Sequence, residues 1–487
     1  MIYKMMRKIL AYGLLALLIM GCEESYPALY MEKKASDPYV PVQNGENGRV
    51  PIILTMADPE YEILTRGMGA FEDYDDSPEE AERWRNADFR VFSYLTSNLI
   101  SERDPKATIN YEARPNGADS LYCMLFNQRI RLQDKDGKTK FYDKDETGEL
   151  QDLLEVTKYY NMQRQDWKYN FFTFYADDAC DPDAPNAYTT KKDQVSIGVK
   201  LDGSQDVMHA VAYHTEEQLE EAIEDLDDVE SKPLHEYKNE LVYSTMAAHR
   251  GIQPIFNANH LLTRIDFYIR GAENPSAVGV RPDGYRQIVV RKVSVVGVPF
   301  NGTLTVAKDS WKDAETYKNE IASGQVLTFD GQTQDYVVKM KQKPVTDEYP
   351  WLVDDPLYQE RPYEEGDAQY HITSTSIDTL GAPILLPPSS GFKVKLEVDF
   401  VNTKADDSRL DDKIRSMEDH VYNIVYEDGF KAGHAYKVII SVYGIQQVGG
   451  ELHLNAWIGK DAQYDGSSDD HIIHVGGDDD DEFQIGD

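Results

Sequence analysis

The sequence predicts a mainly β protein: two tandem antiparallel β-sandwich domains with short helices in the loops. Three observations predict it. Along Lys393-Val394-Lys395-Leu396-Glu397-Val398-Asp399-Phe400, charged and apolar residues alternate strictly, the pattern of a sheet with one wet face. The composition, with 32 Tyr, 22 Pro and 32 Gly, breaks the apolar residues into short stretches punctuated by turns. A chain of 487 residues is also too long for one hydrophobic core.

The elements follow in order. Residues 1–21 form a signal peptide. Lys4, Arg7 and Lys8 precede the uncharged 12-residue run Ile9–Met20, which is too short for a membrane span of about 20 residues. The run ends Leu18-Ile19-Met20-Gly21-Cys22, so cleavage is expected between Gly21 and Cys22, with acylation of the Cys22 thiol as the anchor. The acidic Glu23-Glu24-Ser25 that follows resembles a surface-export tag of Bacteroidetes lipoproteins. Residues 22–48 read as a tether. Val50-Pro51-Ile52-Ile53-Leu54-Thr55 is the first strand, and its Pro suits an edge or an early position. Ser77-Pro78-Glu79-Glu80 starts a short helix, and Phe89–Leu95 is the next strand.

Further strands are expected at Tyr169–Tyr175 and Gln194–Leu201. Between them and the second domain, Thr215-Glu216-Glu217-Gln218 opens an amphipathic helix over 215–228. The domains are placed at 49–250 and 251–464. The second contains strands at Arg264–Arg270, Lys393–Phe400, Tyr436–Val442 and Glu451–Trp457, with a turn at Gly449-Gly450 between the last two. The tail, 465–487, is acidic and expected to be disordered apart from two apolar patches, His471–Val475 and Phe483–Ile485.

Charge excludes some partners. The formal charge is −36, and removal of residues 1–21 takes three cations and no anion, leaving 86 − 47 = 39 net negative charges. Such a chain repels nucleic acid and anionic lipid head groups. Cys123 and Cys180 can pair in an oxidising compartment or stand as two core thiols. The sequence nominates no catalytic residue, cofactor or metal site. There is no nucleophile elbow, P-loop or dinucleotide fingerprint. His209 and His214 are wrongly spaced to share a helical face. Asp134-Lys135-Asp136-Gly137 departs from a calcium loop in the position of its Gly, and reads as a hairpin turn.

Four segments in order resemble the fimbrillin-like (major fimbrial subunit, Mfa-like) lipoproteins of Bacteroidetes type V pili. They are Leu64-Thr65-Arg66-Gly67-Met68-Gly69-Ala70 ahead of Trp84, Leu201–Ala210 with its Gly203-Ser204-Gln205-Asp206 core, Pro254–Phe267 around His260, and Lys431–Val438 with the closing Trp457. The resemblance covers roughly residues 50–460. It implies transthyretin-like sandwiches, no enzymatic activity, a cell-surface outer-membrane location, and joining to other pilus subunits by strand exchange. It also implies host or bacterial surface ligands. A protease would cut after Arg66, before Gly67, with Arg49 as the second choice. The displaced strand would carry Val50, Ile52, Ile53 and Leu54, and a neighbour's strand would replace it. The candidate donor in this chain, with Ile472, Ile473 and Val475, is short. That leaves stalk, tip and anchor roles open. The competing reading is a surface glycan-binding lipoprotein of a nutrient-uptake system. Its aromatic platform would be Tyr349-Pro350-Trp351-Leu352 with Tyr358 and Tyr363, which a loop packed on its own domain explains equally.

Overall fold

The computed structural model describes residues 49–56, 82, 85–95, 110–115, 122–133, 137–144, 153–160, 168–213, 243–249, 252–271, 285–340, 370–372, 377–402, 415–444, 447–455 and 473–476. The signal peptide with Gly21 and Cys22, the tether, Arg66 and Gly67, and the helix expected at 215–228 lie outside them. So do Ile472, Trp84, Trp457 and the platform around Trp351.

The protein is mainly β, and most strands pair antiparallel. A seven-stranded sheet runs in the order Asn259–His260, Met208–Val211, Tyr169–Tyr175, Phe89–Leu95, Cys123–Leu132, Thr139–Lys144, Leu153–Val156. A second sheet holds Leu327–Phe329, Asn301–Lys308, Gln194–Lys200 and Tyr188–Thr190. The third is built around Thr263–Gly271, Ala435–Gly444, Gln447–Asn455 and Ile473–Gly476, and the fourth around Thr333–Val337, Tyr285–Pro299, Ser389–Asn402 and Arg415–Phe430. Among the described residues, only Thr55–Met56 on Ile255–Phe256 and Thr263–Gly271 on Ala435–Gly444 pair in parallel.

The first two sheets stack face to face. Phe92 meets Tyr188 at 5.3 Å between ring centroids, and Phe172 meets the buried Trp311 at 6.3 Å. Phe89–Leu95 and Tyr169–Tyr175 are buried along their whole length, because the other face of the first sheet is covered too. There Phe171 packs on Tyr160 and Tyr243. Central strands covered on both faces lose the alternation seen elsewhere and read as continuous apolar runs. The third and fourth sheets meet through Tyr436, which packs on Phe430 at 4.8 Å and Tyr426 at 5.9 Å.

The alternating strands fold as their pattern requires. Ile265, Phe267 and Ile269 point inward from Thr263–Gly271, and Val394, Leu396 and Val398 point inward from Ser389–Asn402. Cys123–Leu132 pairs antiparallel with Thr139–Lys144, Leu132 opposite Thr139; of the turn expected at 134–137, only Gly137 lies among the described residues. The turn expected at Gly449-Gly450 is corrected. Those glycines lie inside Gln447–Asn455, opposite Ser441 and Ile440, and the chain reverses between Gly444 and Gln447. A ladder bonds through the backbone, so two glycines interrupt side-chain packing without interrupting the strand. Pairing also runs across residue 251. Asn301–Lys308 lies on Gln194–Lys200, and Asn259–His260 lies on Met208–Val211.

Two features tie these layers together. The helix Ala314–Ala322 is capped by Asp313, whose carboxylate accepts from the backbone N–H groups of Glu315 and Thr316. This helix delivers Tyr317 to buried His209. The Tyr317 hydroxyl lies 2.8 Å from His209 Nδ1, and His209 Nε2 lies 2.8 Å from the Val306 carbonyl. A carbonyl only accepts, so Nε2 carries the proton and Nδ1 accepts from the tyrosine. Burial disfavours the imidazolium and pulls His209 down from 6.5 to about 4.

Because the folded pKa lies below the unfolded one, the unfolded chain binds the extra proton. Stability from this site is complete above pH 6.5 and is lost as pH falls from there toward 4. Unfolding in denaturant at pH 7.5 and pH 4.5 should therefore show a loss on acidification about 2–3 kcal/mol smaller in His209→Gln than in the parent.

Candidate functional site

The segment Val50–Met56 alternates as a strand does. Val50, Ile52, Leu54 and Met56 are buried, while Ile53 is 40 % exposed. Ile53, expected among the apolar residues of a displaced strand, therefore faces solvent. Period-2 geometry allows only every second side chain to reach the core.

Both edges of this segment are bonded. On one edge, Ile52 N–H donates to the Lys158 carbonyl (2.8 Å), Tyr160 N–H to Val50 (3.0 Å), Thr139 N–H to Leu54 (3.3 Å) and Met56 N–H to Gly137 (2.8 Å). The Thr139 hydroxyl adds a bond to the Leu54 carbonyl at 2.7 Å. On the other edge, Thr55 N–H donates to the Pro254 carbonyl at 3.1 Å, and Ile53 N–H to Gln253 Oε1 at 3.3 Å. The first strand thus lies in a groove whose walls are 137–139 and 158–160 on one side and 253–256 on the other.

Those walls belong to opposite ends of the seven-stranded sheet. Lys138 precedes Thr139–Lys144, and Tyr159 follows Leu153–Val156 near one end. Phe256 bridges to Ala212, next to Met208–Val211 near the other. One segment from early in the chain therefore joins the two ends of the sheet. Lifting it out would leave unpaired backbone donors and acceptors along two edges and a trough in place of four apolar side chains, a template for another strand.

Gly137 sits at the narrowest point, with φ +77°. A methyl group there would fall inside the van der Waals radius of the Met56 carbonyl oxygen. The turn conformation and the close approach of the strand both require glycine. Gly137, Lys158 and Gln253 were not legible as site residues. The Gly of the Asp134–Gly137 turn was the only local signal, and it marked the hairpin rather than its neighbour.

The other expected site residues are placed as follows. Arg49, exposed, lies immediately before the strand with its guanidinium 5.8 Å from the centre of the Tyr159 ring. Of the candidate donor His471–Val475, residues 473–475 lie among the described ones, in the strand Ile473–Gly476, which pairs antiparallel with the chain's own Gln447–Asn455, setting Ile473 opposite Leu452 and Val475 opposite Gly450. Cys123 and Cys180 are free thiols, and burial pushes them up to about 12 and about 11, so neither is poised for thiolate chemistry. Among the described residues, no group of three or more His, Cys, Asp or Glu is arranged to hold a metal ion.

Two segments that carried the family resemblance meet in the core. Buried Asp206, in Gly203-Ser204-Gln205-Asp206, faces buried His260, with Oδ2 3.0 Å from Nδ1. The preceding turn is fixed by Asp202, which accepts from Ser204 N–H at 2.9 Å, while Gln205 Oε1 accepts from Asp202 N–H at 2.7 Å. The Asp206–His260 pair links the segment entering Met208–Val211 to the neighbouring strand Asn259–His260.

Gly137→Ala should unseat the first strand while sparing distant sheets, at a cost of about 2 kcal/mol or more. Hydrogen exchange reads this directly: the Ile52 and Met56 amides should lose protection while those of Phe172 and Phe174 keep it. Leu54→Ala, which leaves a cavity under the strand, should cost about 2–5 kcal/mol in the same assay.

No protein-family model matches the chain, and no curated protein matches its sequence. Its structural neighbours are cell-adhesion and fimbrial proteins of Bacteroidetes. A candidate cell adhesion protein of Bacteroides uniformis is 11% identical, with a TM-score of 0.35, over 85% of this chain and 99% of that one. A fimbrial assembly protein of Parabacteroides distasonis is 9% identical, with a TM-score of 0.31, over 83% of this chain and 96% of that one. The fimbrial anchor protein Mfa2 of Porphyromonas gingivalis is 10% identical, with a TM-score of 0.26, over 84% of this chain and 97% of that one.

Proposed function

We propose that the protein is a surface-exposed outer-membrane lipoprotein, anchored through Cys22, that acts as a fimbrial subunit or fimbrillin-like adhesin and assembles by protease-triggered strand exchange. The observation that carries this reading is the seating of Val50–Met56, bonded on both edges in its groove. A cut after Arg66 severs the chain that follows it. A cut after Arg49 leaves the strand attached to the body, so Arg66 is the site that matters.

The hold on a severed strand is substantial. Four buried apolar side chains contribute about 6–12 kcal/mol before the costs of association are subtracted. Such a strand stays until a competitor takes its bonds one by one, which favours exchange over simple release. The competitor must present apolar residues at alternate positions to fill the places of Val50, Ile52, Leu54 and Met56. The chain's own candidate, His471–Val475, is short, and its described part, within Ile473–Gly476, is already paired with Gln447–Asn455. This favours a subunit that accepts a strand without donating one, at an end of the polymer.

Limited trypsin digestion of the folded protein tests the proposal. It should give one early new N-terminus at Gly67, and the trimmed protein should capture the strand of a donor subunit, whereas Arg66→Gln should not. A cut product that stays monomeric beside a donor subunit contradicts strand exchange.

A further inference from the structure

Away from the groove, an open cleft of about 450 Å³ lies where Cys123–Leu132 passes the loop at 182–188. This is within the range of small-ligand sites, roughly 300–1,000 Å³. Its charge runs against the rest of the molecule. Three guanidiniums, Arg90, Arg114 and Arg129, face two carboxylates, Asp143 and Asp183, in a chain of net charge −36.

The carboxylates are already engaged. Asp183 takes both terminal nitrogens of Arg90 at 3.0 Å and Arg129 Nη2 at 2.9 Å. Asp143 accepts from Lys158 at 2.8 Å and Gln128 at 2.9 Å, and the amide and amine bonds outweigh burial to hold its carboxyl below the usual range. Arg90 and Arg129 are thereby fixed, and they are 5 % and 4 % exposed.

Arg114 is different. Among the described residues its partners are neutral: the Glu112 and Ala113 carbonyls at 2.9 Å, the Tyr111 carbonyl at 3.4 Å, and the Thr190 hydroxyl at 3.4 Å from Nη2. Its guanidinium lies 3.8 Å from the centre of the Phe126 ring, which orients the fork without neutralising it. A pre-oriented guanidinium with no carboxylate partner among the described residues suits a ligand carboxylate. The half-buried Tyr142 and Tyr188 line the same cleft and bring aromatic carbon beside its polar groups. A ligand that is polar around its rim, flat on one face and negatively charged satisfies all of these together.

We propose that this cleft binds an acidic saccharide, a uronic- or sialic-acid sugar, with its carboxylate on Arg114 and its ring against the tyrosines. The site is separate from the strand groove, and its test does not depend on polymerisation.

The test is calorimetric titration of the purified full chain with oligogalacturonate and with sialyllactose, beside lactose and an acidic peptide as comparisons. At least one acidic sugar should bind, lactose should bind at least tenfold more weakly, and the affinity should fall with added salt. Arg114→Gln should weaken binding at least tenfold with an unchanged melting temperature, and Arg114→Lys should recover part of it. Equal binding of lactose overturns the proposal. So does unchanged binding by a folded Arg114→Gln variant, binding of the acidic peptide with none of the sugars, or no binding at all.

Discussion

The closure of the first sheet by Val50–Met56 is the constraint on which the site depends. Sheet ends carry unpaired backbone groups, and folded proteins cover them, blunt them or close them. Here one seven-residue segment bonds near both ends of a seven-stranded sheet and buries four side chains beneath it. The arrangement follows from alternation alone. Val50, Ile52, Leu54 and Met56 fill the trough, while Ile53 and Thr55 turn their N–H groups to the opposite wall. Gly137 and Gln253 complete the fit, one by having no side chain and the other by lending its amide where the backbone ladder is incomplete.

Charge and titratable groups divide by burial. Several of the buried titratable groups find partners within the fold. His209 sits neutral between Tyr317 and Val306, and Asp206 faces His260. Cys123 and Cys180, which the sequence left either paired or as two core thiols, are free, the first buried and the second half-buried. Trp311 lies at the centre of the same packing, its Nε1 donating to Glu320 at 2.9 Å.

How much of this was legible in the sequence depended on whether a signal was local. Alternation placed Arg264–Arg270 and Lys393–Phe400 correctly, because one residue in two must face water on a half-covered sheet. The strand expected at Val50–Thr55 was legible as an apolar run, yet only Thr55–Met56 forms a regular strand, and neither the outward Ile53 nor the two distant walls could be read. Those partners stand roughly 85 to 200 residues away in sequence, and no local pattern encodes such pairing. The glycines at 449 and 450 suggested a turn because glycine favours turns, yet ladder hydrogen bonds do not need side chains. The helix Ala314–Ala322 went unread although Asp313 followed by Thr316 carries a capping signal, since the stretch has too few apolar residues for a clear periodicity. Two segments that carried the family resemblance meet in the core, where Asp206 faces His260, a contact between distant residues that no local pattern announces.

The central claim is that Val50–Met56 is a separable strand in a groove that accepts another in its place. The direct measurement is uptake of a labelled synthetic peptide with the sequence of residues 50–56, by intact protein and by protein cut after Arg66. Saturable uptake by the cut protein, absent in the intact one and reduced when Ile52 and Leu54 of the peptide are replaced by serine, is the predicted result. Cut protein that keeps its own strand and takes up no peptide would show instead that the strand is a fixed part of the core.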